Sequence, residues 1–142
     1  VLGQLLTEYR GQIRLAYKDF PLARHAGAAP AALAARCAGA QGAYWEYHDL
    51  LFLAQPAFSR DDLVGYAARL RLDTQAFAAC LDSGRFRAAV EADMTEGRAA
   101  GVRGTPTFFI NDRMLGEGGL YPIETFREAI ESVLRARGQR RP

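Results

Sequence analysis

Lysine occurs once, at Lys18, and the remaining positive charge comes from arginine. Cysteine occurs only at Cys37 and Cys80, tryptophan only at Trp45, and histidine only at His25 and His48. Two cysteines exclude a disulfide-dense mini-protein and a zinc site built from cysteine alone. No run of about 18 apolar residues occurs, so no segment reads as a membrane-spanning helix. Neither charge sign dominates: 18 basic residues face 16 acidic ones, a net +2 at pH 7. A dedicated nucleic-acid binder would carry a larger basic excess. There is no internal repeat and no low-complexity linker. What is present is ordinary globular material, 142 residues that are 49% hydrophobic and 24% charged, with 14 Gly and 6 Pro. That predicts one domain, or one domain with an insertion, able to fill a core. The arginine and alanine richness reads as compositional bias. Arg135, Arg137, Arg140 and Arg141 make a basic C-terminal end, read as a solvated terminus.

The apolar pattern divides the chain. Val1–Arg10 has helical spacing, with Leu2, Leu5, Leu6 and Tyr9 on one side, and Gly11 ends it. Ile13, Leu15 and Tyr17 then alternate with Arg14, Ala16 and Lys18, which predicts a strand closed by Phe20-Pro21. From about Pro30 to Gly101 the spacing is helical throughout. Leu33 and Cys37 are expected on one buried face, and Tyr44, His48, Leu51 and Phe52 on another, with Trp45 beside them. Pro56 breaks that second helix. Ser59 with Asp62, and then Asp73, are N-caps for the next two helices. Leu63, Val64, Ala67 and Leu70 form one buried stripe. Phe77, Cys80 and Leu81 form another, and Phe86, Val90 and Met94 a third.

Extended spacing returns at Thr107–Ile110. Asn111-Asp112 suits a two-residue hairpin turn, with Arg113–Leu115 as the returning strand. Gly116, Gly118 and Gly119 loosen the following loop. Pro122 suits the first turn of a last helix whose stripe is Phe126, Ile130, Val133 and Leu134. Arg135 and Arg137 suit its negative end, and Gly138 stops it. The order is helix, strand, four or five helices, hairpin, helix. Three strands make a thin sheet, and the first helix opens in mid-pattern with no cap and no Met. A further strand is therefore expected before Val1.

The most informative stretch is Val102-Arg103-Gly104-Thr105-Pro106-Thr107-Phe108-Phe109-Ile110-Asn111. It closely resembles the cis-proline loop of the DsbA-like branch of the thioredoxin superfamily. Tyr17-Lys18-Asp19-Phe20-Pro21-Leu22 resembles that family's second-strand exit. Ala34–Ala38 and Tyr44–Phe52, the latter of the form Trp-x-x-His-Asp-x-x-Phe, resemble its helical insertion. Phe77–Gly84 and the helix from Pro122 also fit. The resemblance implies an α/β fold, a thioredoxin-like sheet with a helical insertion and its first strand absent from this chain. It implies a single domain over 1–142, with 1–28 and 102–138 as the core and about 29–101 as the insertion.

The family's reaction is thiol–disulfide exchange, performed by a Cys-x-x-Cys pair at a helix N-terminus, where the dipole lowers the thiol pKa. That motif is absent: Cys37 and Cys80 stand 43 positions apart, and the sequence holds no other cysteine. The resemblance places the redox pair upstream of Val1, with α-helical residues from Val1 completing its helix. It implies that Gly104, Thr105 and Pro106 bind the substrate peptide, Thr105 through its backbone and Pro106 as the cis-proline. It also implies polypeptide substrates containing cysteine, a redox partner protein, no cofactor, and work in the periplasm or another extracytoplasmic space. A DsbA-like protein in that space would join Cys37 to Cys80 as a structural disulfide, whereas a cytoplasmic one would keep two buried thiols. Zinc is not expected, for want of four ligands at workable spacing. Lys18 and Asp19 either tune the missing thiols or are simply solvated. His25 reads as an exposed loop residue and His48 as a hydrogen-bonded packing residue. Two other readings use the same scaffold. One is a kappa-class glutathione transferase or isomerase-like enzyme, with serine at the first cysteine's place. The other is a non-catalytic peptide-binding module.

A sheet edge left where a first strand belongs invites pairing with a second copy and weakens the fold. A longer polypeptide that includes the upstream segment is expected to unfold at a higher temperature than residues 1–142 alone. Equal thermal midpoints would refute the expected strand.

Overall fold

A computed structural model describes residues 1–116 and 118–138, so Arg140 and Arg141 of the basic end lie outside the described residues. The elements are α1 (Leu2–Glu8), α2 (Ala28–Gly39), α3 (Tyr44–Ala54), α4 (Arg60–Arg69), α5 (Thr74–Asp82), α6 (Arg87–Ala99), β1 (Phe109–Ile110), β2 (Arg113–Met114) and α7 (Ile123–Gly138). They fall into two compact units. One is Asp19–Ala99, and the other is Val1–Lys18 with the chain from Ala100 onward.

The helical unit is organised around α2, which touches α3, α4, α5 and α6. Its buried side chains are Ala31, Ala34, Ala35, Ala38 and Cys37. They end at or just beyond Cβ, so four neighbours can pack against one helix. Leu33, expected on this face, is only half-buried. The larger pieces of the core come from the neighbours: Tyr47, Leu51, Leu63, Tyr66 and Phe77. Tyr47 is fully buried, and its hydroxyl donates to the Leu63 carbonyl at 2.7 Å, so the phenol enters the core without an orphaned donor. Its ring lies 5.3 Å from that of Phe77. Burial pushes its ionisation well above the ordinary phenol range. Gly27 lets Phe58 cross the start of α2, since a Cβ there would lie 2.8 Å from the Phe58 ring.

The helix ends follow local chemistry. Ser59 accepts from the Asp62 N–H while the Asp62 carboxylate accepts from the Ser59 N–H, a complete capping box on α4. Asp73 accepts from the Ala76 N–H at the start of α5. On α3 the expected face is corrected. Leu51 is buried as expected and Tyr47 is buried with it, while Phe52 is 59% and Trp45 44% exposed. Spacing alone could not separate these two apolar sides of one helix.

Cys37 of α2 and Cys80 of α5 are joined, with sulfurs 2.07 Å apart and Cα atoms 5.9 Å apart. Cys37 is 1% exposed. The bond ties two helices that already share the core.

In the other unit, α1 and α7 pack through Leu5, Tyr9, Phe126 and Ile130, with Ile13, Phe108, Ile110 and Leu115 around them. Glu8 and Arg127 brace the two helices outside that core, at 2.9 Å. β1 and β2 pair antiparallel, Phe109 opposite Met114 and Ile110 opposite Arg113, across the two-residue turn Asn111-Asp112. Asn111 takes a φ of 53°, a conformation asparagine tolerates better than most residues. Two expectations are corrected here. Ile13–Lys18 keeps alternating exposure through Ala16 but joins no ladder among the described residues, where the sheet has only β1 and β2. A strand needs a backbone partner as well as the pattern. Pro122 lies just before α7 rather than inside its first turn, its carbonyl accepting from the Thr125 N–H at 3.2 Å.

A cross-link closing a loop of this size contributes about 4 kcal/mol in the chain-entropy account. Reduction, or replacement of both Cys37 and Cys80 by alanine, is expected to lower the urea midpoint by a corresponding margin. An unchanged midpoint in reductant would mean that the bond carries no stability.

Candidate substrate-binding loop

Gly101, at φ 85°, turns the chain out of α6. The following loop reaches β1 through Gly104-Thr105-Pro106-Thr107. The Thr105–Pro106 peptide is cis, as is Gln55–Pro56 in the helical unit, which the sequence reading did not single out. The Thr107 hydroxyl donates to the Gly104 carbonyl at 2.7 Å and closes the turn from within. The Gly119 N–H donates to the Pro106 carbonyl at 2.8 Å and holds it from outside. Gly118 and Gly119, at φ 62° and 121°, allow the neighbouring loop to make that approach.

Downstream, Phe108 fixes the loop to the core. Its ring meets Phe126 edge-on at 4.9 Å, and its carbonyl accepts from the Leu115 N–H at 2.8 Å. Thr105 and Pro106 are exposed, and Gly104 is half-buried. Among the described residues, no hydrogen-bond partner meets the Thr105 backbone. The loop is thus held on both sides and open in the middle, which is what an added extended strand needs.

The other candidate residues are placed differently. Lys18 is exposed, but Asp19 is only 4% exposed, which excludes simple solvation for it. Arg36 of α2 bridges the carboxylates of Asp19 and Asp93, and the Asp19 N–H donates to Asp93 at 3.0 Å. Burial raises the Asp19 carboxyl above its ordinary range, outweighing the pull of Arg36, and the neighbouring Asp93 charge pushes the same way. Partial burial acts against the Arg36 charge, but Asp19 and Asp93 together raise its pKa above the ordinary guanidinium value. Arg36 and Asp93 were missed in the sequence. The available signal was a charged residue set among the inward alanines of α2.

His25 is exposed. The His48 Nδ1 lies 3.0 Å from Asp49 Oδ1, with its side chain 17% exposed, so it packs and hydrogen-bonds. Among the described residues, no cluster of three or more His, Cys, Asp or Glu could hold a metal ion. A separate groove of about 340 Å³, lined by Arg113, Met114, Thr125 and Glu128 among others, contains none of the expected site residues.

The family model described as Thioredoxin matches residues 1–132. The chain belongs to the thioredoxin family. Its fold is thioredoxin-like: a thioredoxin-like oxidoreductase from Silicibacter pomeroyi DSS-3 superposes with a TM-score of 0.79 at 23% identity, over 94% of this chain and 75% of that one. Stretches of three bacterial proteins are also similar. They are Na(+)/H(+) antiporter NhaA 1 of Salinispora arenicola, 40% identical over 98% of this chain, NhaA 3 of Salinispora tropica, 38% over 98%, and NhaA of Herminiimonas arsenicoxydans, 39% over 92%. The chain spans 20–22% of the length of these relatives. Within this thioredoxin-like chain, no helix of the described residues is long and apolar enough to cross a membrane.

The raised Asp19 carboxyl has a signed consequence. A group that binds its proton more tightly when folded stabilises most below the ordinary carboxyl range, and loses that contribution as pH rises through its folded pKa. The folded state of the wild type should therefore be more stable relative to Asp19→Asn at about pH 4 than at about pH 7. An equal difference at the two pH values would contradict the assignment.

Proposed function

We propose that this chain belongs to a thiol:disulfide oxidoreductase of DsbA type, which forms or exchanges disulfides in polypeptide substrates and whose exchange dithiol lies upstream of Val1. The observation that carries this reading is the Gly104–Thr105–Pro106 turn, exposed at Thr105 and Pro106 and held by Thr107 and Gly119 with the Thr105 backbone open. An extended substrate can lie beside Thr105 as an added strand, which selects unfolded polypeptide over folded surface.

In disulfide formation, a substrate thiolate attacks one sulfur of the oxidised upstream pair and the other sulfur of the pair leaves as a thiolate. A second substrate thiolate then resolves the mixed disulfide, leaving the substrate oxidised and the pair reduced. Exchange in the other direction runs these steps backwards. Two electrons pass between substrate and pair, and a redox partner protein restores the pair. Cys37 and Cys80 are bonded to each other within the helical unit and take the structural role. Their pairing supports a periplasmic or other extracytoplasmic setting. Similarity to stretches of Na(+)/H(+) antiporters supports carriage of the domain on a longer polypeptide held at a membrane.

The test uses the longer polypeptide that includes the upstream segment, assayed on a reduced, unfolded protein and on a small disulfide. Thr105→Arg is expected to lower kcat/KM for the protein substrate by about tenfold while changing the small-disulfide reaction less than about twofold. Equal losses on both substrates would place Thr105 outside peptide binding. A serine or no thiol at the upstream position, with no exchange activity, would overturn the oxidoreductase reading in favour of a transferase-like enzyme or a binding module.

A further inference from the structure

The outer side of β2 carries no strand among the described residues, where the sheet has only β1 and β2. Its register fixes what that side offers. The Leu115 N–H donates to the Phe108 carbonyl at 2.8 Å, so Phe108 and Leu115 are a hydrogen-bonded pair. Bonded and non-bonded pairs alternate along an antiparallel ladder. Phe109 and Met114, the next pair, are therefore non-bonded, and the Met114 N–H and C=O point away from β1. Among the described residues neither group has a hydrogen-bond partner. A donor and an acceptor on one edge residue can receive one residue of another strand.

Charge narrows which strand fits. The groove of about 340 Å³ runs beside this edge, with an apolar lining from Ile110 and Leu115 on one side and Ala129 and Val133 of α7 on the other. Arg113 of β2 and Glu128 of α7 line the same groove. Both are exposed. Neither has an ion pair or hydrogen bond among the described residues, whereas Arg127 and Glu131 of α7 are already paired. An arginine on an edge ordinarily discourages strand addition. A second copy of this chain is the exception. A two-fold axis that sets Met114 opposite the second copy's Met114 lets the two residues exchange both hydrogen bonds. It also sets Arg113 opposite the second copy's Leu115, beside the groove that the second copy's Glu128 lines. One cation and one anion on a face thus complement the same face turned about the axis. We propose that the chain pairs with a second copy of itself through the outer edge of β2, antiparallel about Met114, with Arg113 of each copy on Glu128 of the other. This contact needs no upstream dithiol, and it leaves the other side of β1 for a strand supplied upstream of Val1.

The test is sedimentation equilibrium over a range of concentrations, on residues 1–142 and on the longer polypeptide that includes the upstream segment. The expected result is a reversible monomer–dimer equilibrium in both, weakened by added salt. Arg113→Glu and Glu128→Arg are each expected to weaken it by about tenfold or more, because each sets like charges together. Mixing the two variants is expected to restore association, since each then meets its opposite charge on the other. Recovery on mixing also excludes misfolding as the cause of the loss. A chain that is monomeric at every concentration would overturn the proposal. So would a dimer indifferent to both reversals, or one lost in the single variants and not recovered on mixing. A dimer of residues 1–142 that the upstream segment abolishes would belong to the other side of β1 and would overturn it as well. If the chain stays monomeric yet binds a reduced, unfolded protein, and Arg113→Glu abolishes that binding, the edge receives a foreign strand and the second-copy assignment fails.

Discussion

The helical unit depends on side chains that stop short. Ala31, Ala34, Ala35 and Ala38 leave α2 thin enough to be surrounded, so α3, α4, α5 and α6 can all reach it. The tyrosines and phenylalanines that fill the remaining space come from those neighbours. A larger residue at any of these alanines would have to displace a helix, since packed interiors leave little room to absorb extra volume. Cys37 belongs to the same thin face, which is why α5 comes close enough for its sulfur to meet Cys80.

Putting a helix at the centre also sets where charge can go. Arg36 leaves the same helix as the alanines and meets Asp19 and Asp93, so two carboxylates share one cation in a largely dry place. Burial and mutual repulsion work against the second negative charge, and Asp19 carries that cost. In the other unit the contacts hold a loop from both sides. Phe108 anchors the loop, Thr107 and Gly119 hold its carbonyls, and Thr105 is left outward. On the proposed reading, rigid support at both ends with an open middle would suit the capture of a flexible chain, because the loop would lose little freedom of its own on binding.

Features written in neighbouring residues were legible early. The capping box at Ser59 and Asp62, the cap at Asp73 and the turn at Asn111-Asp112 each involve groups a few positions apart. Their chemistry does not depend on what packs elsewhere. The Gly104–Thr105–Pro106 motif stood out for a similar reason, being a contiguous string. The inward side of α3 was legible only at Leu51, because apolar residues occur on two of its sides and only the packing against α2 selects Tyr47 over Phe52. The Asp19–Arg36–Asp93 group was not legible either, since its members lie on separate segments.

The sequence by itself determined the N-caps of α4 and α5, where the hairpin turns and which loop carries the proline. These follow from backbone hydrogen-bonding groups that must be satisfied locally. Only the tertiary structure decided that Ile13–Lys18 joins no ladder, that Asp19 is buried, and that Trp45, Phe52 and Leu53 face outward. Each of those outcomes depends on which distant segment arrives as a neighbour. Periodicity states that a face is apolar or a segment extended, but the partner that covers it is chosen by packing across the whole chain.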